Sequence, residues 1–217
     1  MSGALAPYAR QLADGLAALG LDAAPELVAR LLAFGELLLK WNRVYNLTAI
    51  RDPKETVTHH LLDSLAVLPW LGSPRALADI GAGAGLPGIV LALACPDMAV
   101  YSVESVGKKA GFQQQAKIEL ELRNLTILQR RAETIRPEEL PDGGAQAVIS
   151  RAFSSLADFV RLAGHLAREG GALHAMKGVY PGAEIAALPA GWGIEDARPL
   201  TVPGLTAERH LLRIRRV

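Results

Sequence analysis

The feature that most constrains the fold of this chain is a glycine-rich turn between two apolar segments. Residues 76–94 read ALADIGAGAGLPGIVLALA, so four glycines fall within eight positions between a predicted strand and a predicted helix. Glycine has no Cβ, so it accepts positive φ angles and lets a ligand approach the backbone closely. The segment therefore predicts a strand, a tight turn and a helix, with a ligand site at the turn.

The chain after about residue 75 alternates short apolar runs with amphipathic segments. Beyond the strand at 76–80, strands are predicted over 98–104, 125–130, 145–150, 171–177, 194–201 and 210–214. Helices are predicted over 86–94, 107–122 and 155–167. This alternation indicates an α/β fold in which helices cover both faces of a mostly parallel sheet. We predict that it forms one Rossmann-like domain over residues 73–217.

Residues 1–72 are predicted to form a separate helical region. Apolar side chains recur at steps of three and four residues, the helical period, at Leu27, Leu31, Leu32, Phe34, Leu37, Leu38 and Trp41. A second helix is predicted to begin at Asp52-Pro53, with the aspartate as N-cap and the proline in the first turn, and to end near Pro69.

Composition excludes several classes of protein. Half of the 217 residues are hydrophobic, so the chain can build a core, and its net charge of +1 is too small for binding nucleic acid by bulk charge alone. The single cysteine, Cys95, excludes an internal disulfide and a cysteine zinc site. No apolar run is long enough to span a membrane. We expect a cytoplasmic monomer without a metal or a membrane partner.

The ligand at the glycine turn is better explained as S-adenosylmethionine than as a nicotinamide cofactor. Gly83, Gly85 and Gly88 spell the dinucleotide pattern G-x-G-x-x-G, but Asp79 would repel a pyrophosphate and Pro87 lacks an N–H donor. S-adenosylmethionine carries an ammonium and a sulfonium, so an acid at this position suits it. Backbone N–H groups of the turn are expected to cradle its carboxylate.

The ends of the next two strands carry further candidate cofactor contacts. Ligands of such sheets lie beyond the carboxyl ends of the strands. Glu104 ends the second strand, where an acid accepts ribose hydroxyls, and Glu133 follows the third strand, where it suits an adenine amino group. The backbone N–H of Ala132 suits an adenine ring nitrogen. In the simpler alternative the glycines only make a turn and the acids are solvated.

Several motifs together resemble one family, the 16S ribosomal RNA guanine-N7 methyltransferases of the glucose-inhibited-division-B (RsmG) type. The resemblance covers roughly residues 30–212, and its motifs are WNRVYNLTAIRDP (41–53), HHLLDS (59–64), DIGAGAGLPGI (79–89), VISRAFSSL (148–156), MKG (176–178) and ERHLL (208–212). It implies a class I S-adenosylmethionine-dependent methyltransferase fold, with a seven-stranded, mostly parallel sheet whose last strand is antiparallel and an N-terminal helical extension. It also implies methyl transfer to N7 of a guanine in 16S rRNA, guanine 527 in the 530 loop.

The resemblance carries over onto particular positions. It implies cofactor contacts from Gly81, Leu86, Ala132, Glu133 and Arg151, beside the contacts predicted above for Asp79, Gly83, Gly85 and Glu104. The chain departs from the family pattern in two places. His59 stands where an arginine is common, which puts one RNA-phosphate contact in doubt, and Glu104 replaces a common aspartate while keeping its charge.

Methylation of guanine N7 needs alignment rather than a general base, because N7 has an in-plane lone pair and no proton. After the fourth strand the chain reads Ser150-Arg151-Ala152-Phe153, not the Asn/Asp-Pro-Pro-aromatic turn of many amine methyltransferases. We predict that Arg151 positions the cofactor or guanine O6, since arginine suits the O6/N7 edge. Phe153 either stacks on the base or packs in the core. Cys95 is expected to pack.

RNA contacts are predicted for His60, Lys177 and Arg209, each with a structural alternative. His60 and Asp63 stand at i and i+3 and are expected to pair, bracing their helix against the cofactor turn. The basic tail, with Arg209, Arg213, Arg215 and Arg216, is interpreted equally well as phosphate-binding or as a solvated edge strand.

Three alternatives to an RNA methyltransferase remain open at this point. They are a methyltransferase of a small molecule with the N-terminal helices as a lid, a nicotinamide oxidoreductase, and an RNA-binding module without activity. The near-neutral charge is compatible with a small-molecule methyltransferase, and Asp79 argues against a nicotinamide oxidoreductase. The chain itself does not distinguish naked RNA from an assembled small subunit as the substrate.

Overall fold

Seven strands form one sheet in the computed structural model, which describes residues 3–151 and 153–217. Met1 and Ser2 of the predicted helical region, and Ala152 of the turn after the fourth strand, lie outside the described residues. The strands are β1 (Ala76–Ile80), β2 (Ala99–Val103), β3 (Leu125–Leu128), β4 (Ala145–Ser150), β5 (Ala167–Lys177), β6 (Trp192–Pro199) and β7 (His210–Arg216).

The strand order is β3-β2-β1-β4-β5-β7-β6. Strands β1 to β5 pair in parallel, and β7 runs antiparallel to both of its neighbours, β5 and β6. The prediction of a seven-stranded, mostly parallel sheet with an antiparallel last strand is confirmed. The bounds of β1 and β4 agree with those predicted from the sequence.

Eight α-helices cover the sheet within the described residues. They are α1 (Ala9–Ala18), α2 (Pro25–Tyr45), α3 (Pro53–Thr56), α4 (Asp63–Leu65), α5 (Gly88–Ala94), α6 (Gly107–Glu119), α7 (Leu156–Ala163) and α8 (Gly182–Ala186). A π-helical turn over Val57–Leu62 joins α3 to α4. In the part of the chain that the structure describes, none of the helices has the length and apolar character needed to cross a membrane.

The start of α3 follows the predicted capping chemistry. Asp52 is the N-cap, and its side chain accepts the N–H of Glu55 at 2.9 Å, which satisfies one of the donors left free at a helix start. Pro53 occupies the first helical position, where a missing N–H costs nothing. This start fixes where the segment carrying His60 and Asp63 enters the fold.

Alternate residues of the central strands point into two hydrophobic clusters, one on each face of the sheet. In β1, Leu77 joins the first cluster, whereas Ala78 and Ile80 join the second. The first cluster also contains Leu38 of α2 and Leu61 of the π-helical turn. The N-terminal helices therefore pack on one face of the sheet. That residues 1–72 form a domain of their own stays a prediction.

The structure differs from the prediction mainly around β5. This strand begins at Ala167 rather than at residue 171, because Ala167 pairs with Ala145 of β4 across an irregularity in the ladder. The predicted helix over 155–167 consequently ends earlier, with α7 at Ala163 and a 3₁₀ turn over Gly164–Leu166.

The direction of β7 decides which basic residues reach the carboxyl edge of the parallel strands. Because β7 is antiparallel to β5, its first residue, His210, pairs with Lys177, the last residue of β5. Arg209 therefore lies at that edge. Arg213 and Arg215 follow along the strand toward the opposite edge, so the basic tail is not one patch.

The first hydrophobic cluster, to which both the N-terminal helices and the sheet contribute, generates a stability prediction. Leu38 is fully buried, so we expect Leu38→Ala to lower the free energy of unfolding by about 2–5 kcal/mol, from lost burial and the cavity left behind. The urea midpoints measured by far-UV circular dichroism and by tryptophan fluorescence should decrease together. Val44→Ala, at a side chain of the same helix that is 71% exposed, is the control and should change stability by less than about 0.5 kcal/mol. A loss confined to one probe would contradict a shared core.

Candidate active site

The glycine turn after β1 adopts the backbone predicted for it. Gly81, Gly83 and Gly85 have φ angles of 67°, 58° and 78°, which side-chain-bearing residues rarely adopt. At Gly85 a Cβ would also lie 2.3 Å from the side chain of Ile89. At Gly81, in contrast, a Cβ would meet nothing within 4 Å. The turn thus has a packed underside and open space above it, which suits the close approach of a ligand.

Most N–H groups of the turn already donate within the protein. The N–H groups of Gly81 and Ala82 both donate to the carbonyl of Val103, at 2.9 and 3.1 Å. Those of Gly85 and Leu86 donate to the carbonyl of Ala82, at 2.8 and 2.9 Å. The turn uses these four groups to hold its own shape, and that N–H groups of the turn cradle a ligand carboxylate stays a prediction.

Asp79 lies fully buried beneath the turn. Its Oδ2 accepts the N–H of Gly88 at 2.7 Å, whereas its Oδ1 has no hydrogen-bond partner among the described residues. Burial raises the pKa of Asp79 to about 7, against the opposing effects of the Gly88 N–H and of Arg151. A buried oxygen without a donor fits a cationic group as its missing partner.

Glu104 fixes the glycine turn through hydrogen bonds to backbone N–H groups. Its two carboxylate oxygens accept the N–H groups of Gly83, at 2.8 Å, and Val106, at 2.7 Å. Each oxygen retains a second acceptor position, so the predicted contact with ribose hydroxyls is chemically possible and stays a prediction.

Two further residues, which the sequence analysis did not predict, also hold the turn in place. Gln113 of α6 donates to the carbonyl of Gly83 at 2.8 Å and accepts the hydroxyl of Ser102 at 2.6 Å. Both side chains are buried. The available signal was a glutamine in line with the apolar side chains of α6, Ala110, Phe112 and Ala116.

The remaining predicted cofactor residues lie at the same edge with different exposures. Ala132 and Glu133 stand in a 3₁₀ turn just after β3, the first buried and the second exposed with Arg131 3.7 Å away. Leu86 is buried in the first hydrophobic cluster. Their contacts with a cofactor stay predictions, and for Leu86 both the side chain and the N–H are already engaged.

Arg151 meets a buried acid rather than open solvent. Its Nη1 donates to the carbonyl of His59 at 3.1 Å and to Oδ2 of Asp63 at 3.4 Å. The other oxygen of Asp63 accepts Nε of Arg209 at 2.7 Å. Burial lowers the pKa of Arg151, while Asp63 favours its charged form, so the guanidinium stays charged. One carboxylate therefore bridges two guanidinium groups from distant parts of the chain.

A cavity of about 260 Å³ opens beside this bridge. It is lined by Ile50, His59, His60, Asp63, Arg151, Met176, Lys177, Gly178 and Arg209. The structure thus brings all three predicted RNA-contacting residues together with Arg151.

Lys177 donates to both oxygens of Glu184, at 2.9 and 3.1 Å, and to the carbonyl of Phe153 at 3.3 Å. Within the described ranges no cluster of three or more metal-ligating residues occurs.

The predicted pair of His60 with Asp63 is wrong. His60 hydrogen-bonds to Oγ1 of Thr48 at 2.9 Å, and Asp63 turns to the two arginines. The π-helical turn over Val57–Leu62 explains this, because it has more residues per turn than an α-helix and does not place side chains at i and i+3 one above the other. Burial, and then Arg151, lower the pKa of His60 to about 3, so the ring is neutral and cannot serve as a cationic phosphate contact.

The other side chains with open alternatives have packing or pairing roles. Phe153 packs against Phe159 with ring centroids 5.1 Å apart. Cys95 follows α5 at the opposite edge of the sheet, and burial raises the pKa of its thiol. Arg213 and Arg215 both pair with Glu195, at 2.8 and 3.1 Å.

The family comparison agrees with this geometry. A family model described as rRNA small subunit methyltransferase G (GidB) matches residues 27–212. A protein from Azoarcus sp. (strain BH72), named Ribosomal RNA small subunit methyltransferase G, is 65% identical over 212 residues, which are 98% of either chain. A protein of the same name from Aromatoleum aromaticum is 61% identical, over 96% of this chain and 99% of its own.

Solved structures match the fold at lower identity. A SAM-dependent methyltransferase from Aquifex aeolicus has a TM-score of 0.54 and 18% identity, over 71% of this chain and 90% of its own. TYW2 from M. jannaschii, solved in complex with AdoMet, also has a TM-score of 0.54, with 16% identity over 72% and 74% of the two chains. At these identities the likeness concerns the fold, that of class I methyltransferases.

The burial of Asp79 generates a prediction about pH. Its pKa is raised from 3.8 to about 7, so the stability that its protonated form contributes is full below about pH 4 and is lost as the pH rises to about 7. Asp79→Asn cannot ionise. We measure the free energy of unfolding of variant and parent in urea at about pH 5 and at about pH 8. The stability of the variant relative to the parent should be higher at pH 8 than at pH 5 by on the order of 2 kcal/mol. Asp97→Asn, at an exposed acid, is the control. An equal difference at both pH values would contradict the shift.

Proposed function

Because this chain belongs to the rRNA small subunit methyltransferase G (GidB) family, we propose that the site described above methylates a guanine of 16S rRNA at N7. The enzyme class is that of S-adenosylmethionine-dependent rRNA methyltransferases. The observation that carries the assignment to this site is the position of Arg151, Lys177 and Arg209 around one cavity, where Arg151 follows β4, the strand that pairs with β1 before the glycine turn. A small-molecule substrate is not favoured by the family.

The residues at the glycine turn fit S-adenosylmethionine. When bound, this cofactor supplies a methyl group made electrophilic by a sulfonium. The unpartnered Oδ1 of Asp79 suits the ammonium of its amino-acid part. The open space over Gly81 leaves room for a ligand at the turn. Glu104 would accept the ribose hydroxyls with its remaining lone pairs. Ala132 and Glu133, in the 3₁₀ turn that follows β3, would contact the adenine.

The chain's own residues need only hold the base and keep water away. Guanine N7 attacks with a lone pair already in the ring plane, so no group of the protein has to remove a proton. The guanidinium of Arg151, fixed by Asp63 and the carbonyl of His59, can donate to guanine O6 while leaving N7 open. Such alignment contributes on the order of 7–11 kcal/mol in favourable cases.

The charge distribution favours a structured RNA surface over bulk attraction. The net charge is +1, and Lys177 and Arg209 are paired with acids. We expect these two residues to contact RNA at the rim of the cavity, and we expect the protein to act as a monomer in the cytoplasm, where small subunits are available. A folded ribonucleoprotein offers shape as well as phosphates, so it suits such a surface better than naked RNA.

The function is tested by incubating the protein with methyl-tritiated S-adenosylmethionine and small-subunit RNA from cells that lack the modification. Naked 16S rRNA and assembled subunits are compared side by side, and the modified base is mapped. We expect label at N7 of a guanine, with more label in subunits. Label in neither substrate, or at another atom, would overturn the proposal. S-adenosylhomocysteine should raise the melting temperature, and NAD should not.

Replacing Arg151 tests its positioning role. We expect Arg151→Ala to lower kcat/KM by about a hundredfold, the effect of a misplaced substrate, and Arg151→Lys to restore little, because lysine lacks the planar fork. The thermal shift with S-adenosylhomocysteine reports whether the loss lies in cofactor binding or in holding the base. Arg161→Ala, at an exposed arginine of α7 paired with Asp158, is the control and should keep full activity. Full activity in Arg151→Ala would exclude this role.

A further inference from the structure

Charges of both signs are paired at the wall of the Arg151 cavity. Its cations are Arg151, Lys177 and Arg209. Asp63 pairs with the two arginines, at 3.4 and 2.7 Å, and Glu184 pairs with Lys177 at 2.9 Å. The two acids neutralise two of the three cations, so this wall carries far less positive charge than its basic residues alone would give it.

The proposed reaction moves a positive charge toward these cations. The N7 lone pair forms a bond to the methyl carbon, the carbon–sulfur bond breaks, and its electron pair stays on sulfur. Sulfur thereby loses its positive charge and the guanine ring gains one, without any proton transfer. A cation that helps to hold neutral guanine through O6 opposes the same base as it becomes positive in the transition state.

We propose that Asp63 is a positioning residue that resolves this conflict, an inference that rests on the proposed function. Its carboxylate holds the guanidinium groups of Arg151 and Arg209 in place for binding and offsets their charge while the base becomes cationic. In this proposal Asp63 acts through the two arginines.

Asp63 is better placed for this role than the other acids nearby. Asp79 is engaged with Gly88 beneath the glycine turn. Glu184 is divided between Lys177 and the N–H of Leu156, at 2.7 Å. The side chain of Asp63 is only 3% exposed, so its attraction to the arginines is weakly screened by water.

The segment that carries Asp63 supplies a second contact to Arg151. The carbonyl of His59 in the π-helical turn accepts Arg151 Nη1, four residues before Asp63 accepts the same atom. His60 adds no charge here, because burial keeps its ring neutral. The segment over residues 57–63 therefore gives Arg151 a backbone acceptor and a negative charge.

The test measures kcat and KM for small subunits at saturating S-adenosylmethionine. Asp63→Asn leaves the two arginines uncompensated, so we expect kcat to fall by about tenfold to a hundredfold while KM stays equal or decreases. A role in RNA binding alone would instead raise KM and leave kcat unchanged. Asp63→Glu keeps the charge and should recover most of kcat, whereas a purely geometric role would leave it as impaired as the asparagine variant.

A control acid that also pairs with two arginines lies in β6. Glu195 of β6 pairs with Arg213 and Arg215 of β7 as Asp63 pairs with its two arginines, but toward the opposite edge of the sheet. Glu195→Gln should leave kcat and KM unchanged. A fall in kcat equal to that of Asp63→Asn would show that losing any such bridge damages the enzyme, and it would overturn the proposal.

Removing a cation tests whether excess positive charge at the cavity lowers kcat. This test does not require the Asp63→Asn variant to fold. Arg209→Gln leaves Asp63 to compensate Arg151 alone, so we expect KM to rise several-fold while kcat is kept. The double variant Asp63→Asn/Arg209→Gln should have a higher kcat than Asp63→Asn. If Arg209→Gln lowers kcat as much as Asp63→Asn does, charge compensation is excluded. Absence of methylation by the parent protein would instead refute the proposed function.

Discussion

The buried carboxylate of Asp63 joins the three parts of the chain that form the candidate active site. Asp63 belongs to the N-terminal helical region, Arg151 follows β4 and Arg209 precedes β7. Charges taken out of water must be paired, and removing one partner of a buried pair typically costs about 3–5 kcal/mol. Each segment therefore depends on the other two for its position. The helical region is for this reason a contributor to the site and not only a cover for one face of the sheet.

The glycine turn illustrates a second constraint, that of a site built before its ligand arrives. The N–H groups of Gly81 and Ala82 are held by the carbonyl of Val103, and Glu104 holds that of Gly83. A turn whose donors are satisfied internally loses little conformational freedom when a ligand binds. The contacts proposed for the cofactor at this turn are accordingly the unpartnered oxygen of Asp79 and the acceptors that Glu104 retains. This division differs from a phosphate-binding turn, where the N–H groups themselves face the ligand.

Local patterns predicted the parts of this structure that local forces determine. The bounds of β1 and β4, the capped start at Asp52 and the glycines with positive φ all follow from propensity and backbone sterics. The pairing of Asp63 with Arg209, 146 residues apart, has no local signal. The expected pair of His60 with Asp63 assumed 3.6 residues per turn, and the π-helical turn removes that premise. The basic tail likewise looked continuous because its residues are adjacent in sequence, whereas the direction of β7 separates them.

The same pairing explains how a nearly neutral protein can act on RNA. In the tail, Arg213 and Arg215 share Glu195, and Arg216 lies over the ring of Trp192 at 5.3 Å. A guanidinium held by a neighbouring acid attracts phosphates less than a free one, because the two opposite charges partly cancel at a distance. At the cavity the pairing has a further consequence. Arg151 and Arg209 are oriented before RNA arrives, and their charge is partly cancelled where the base will become cationic. Selectivity then comes from the fit of one base into a shaped corner, and strong general attraction to RNA would add little to it.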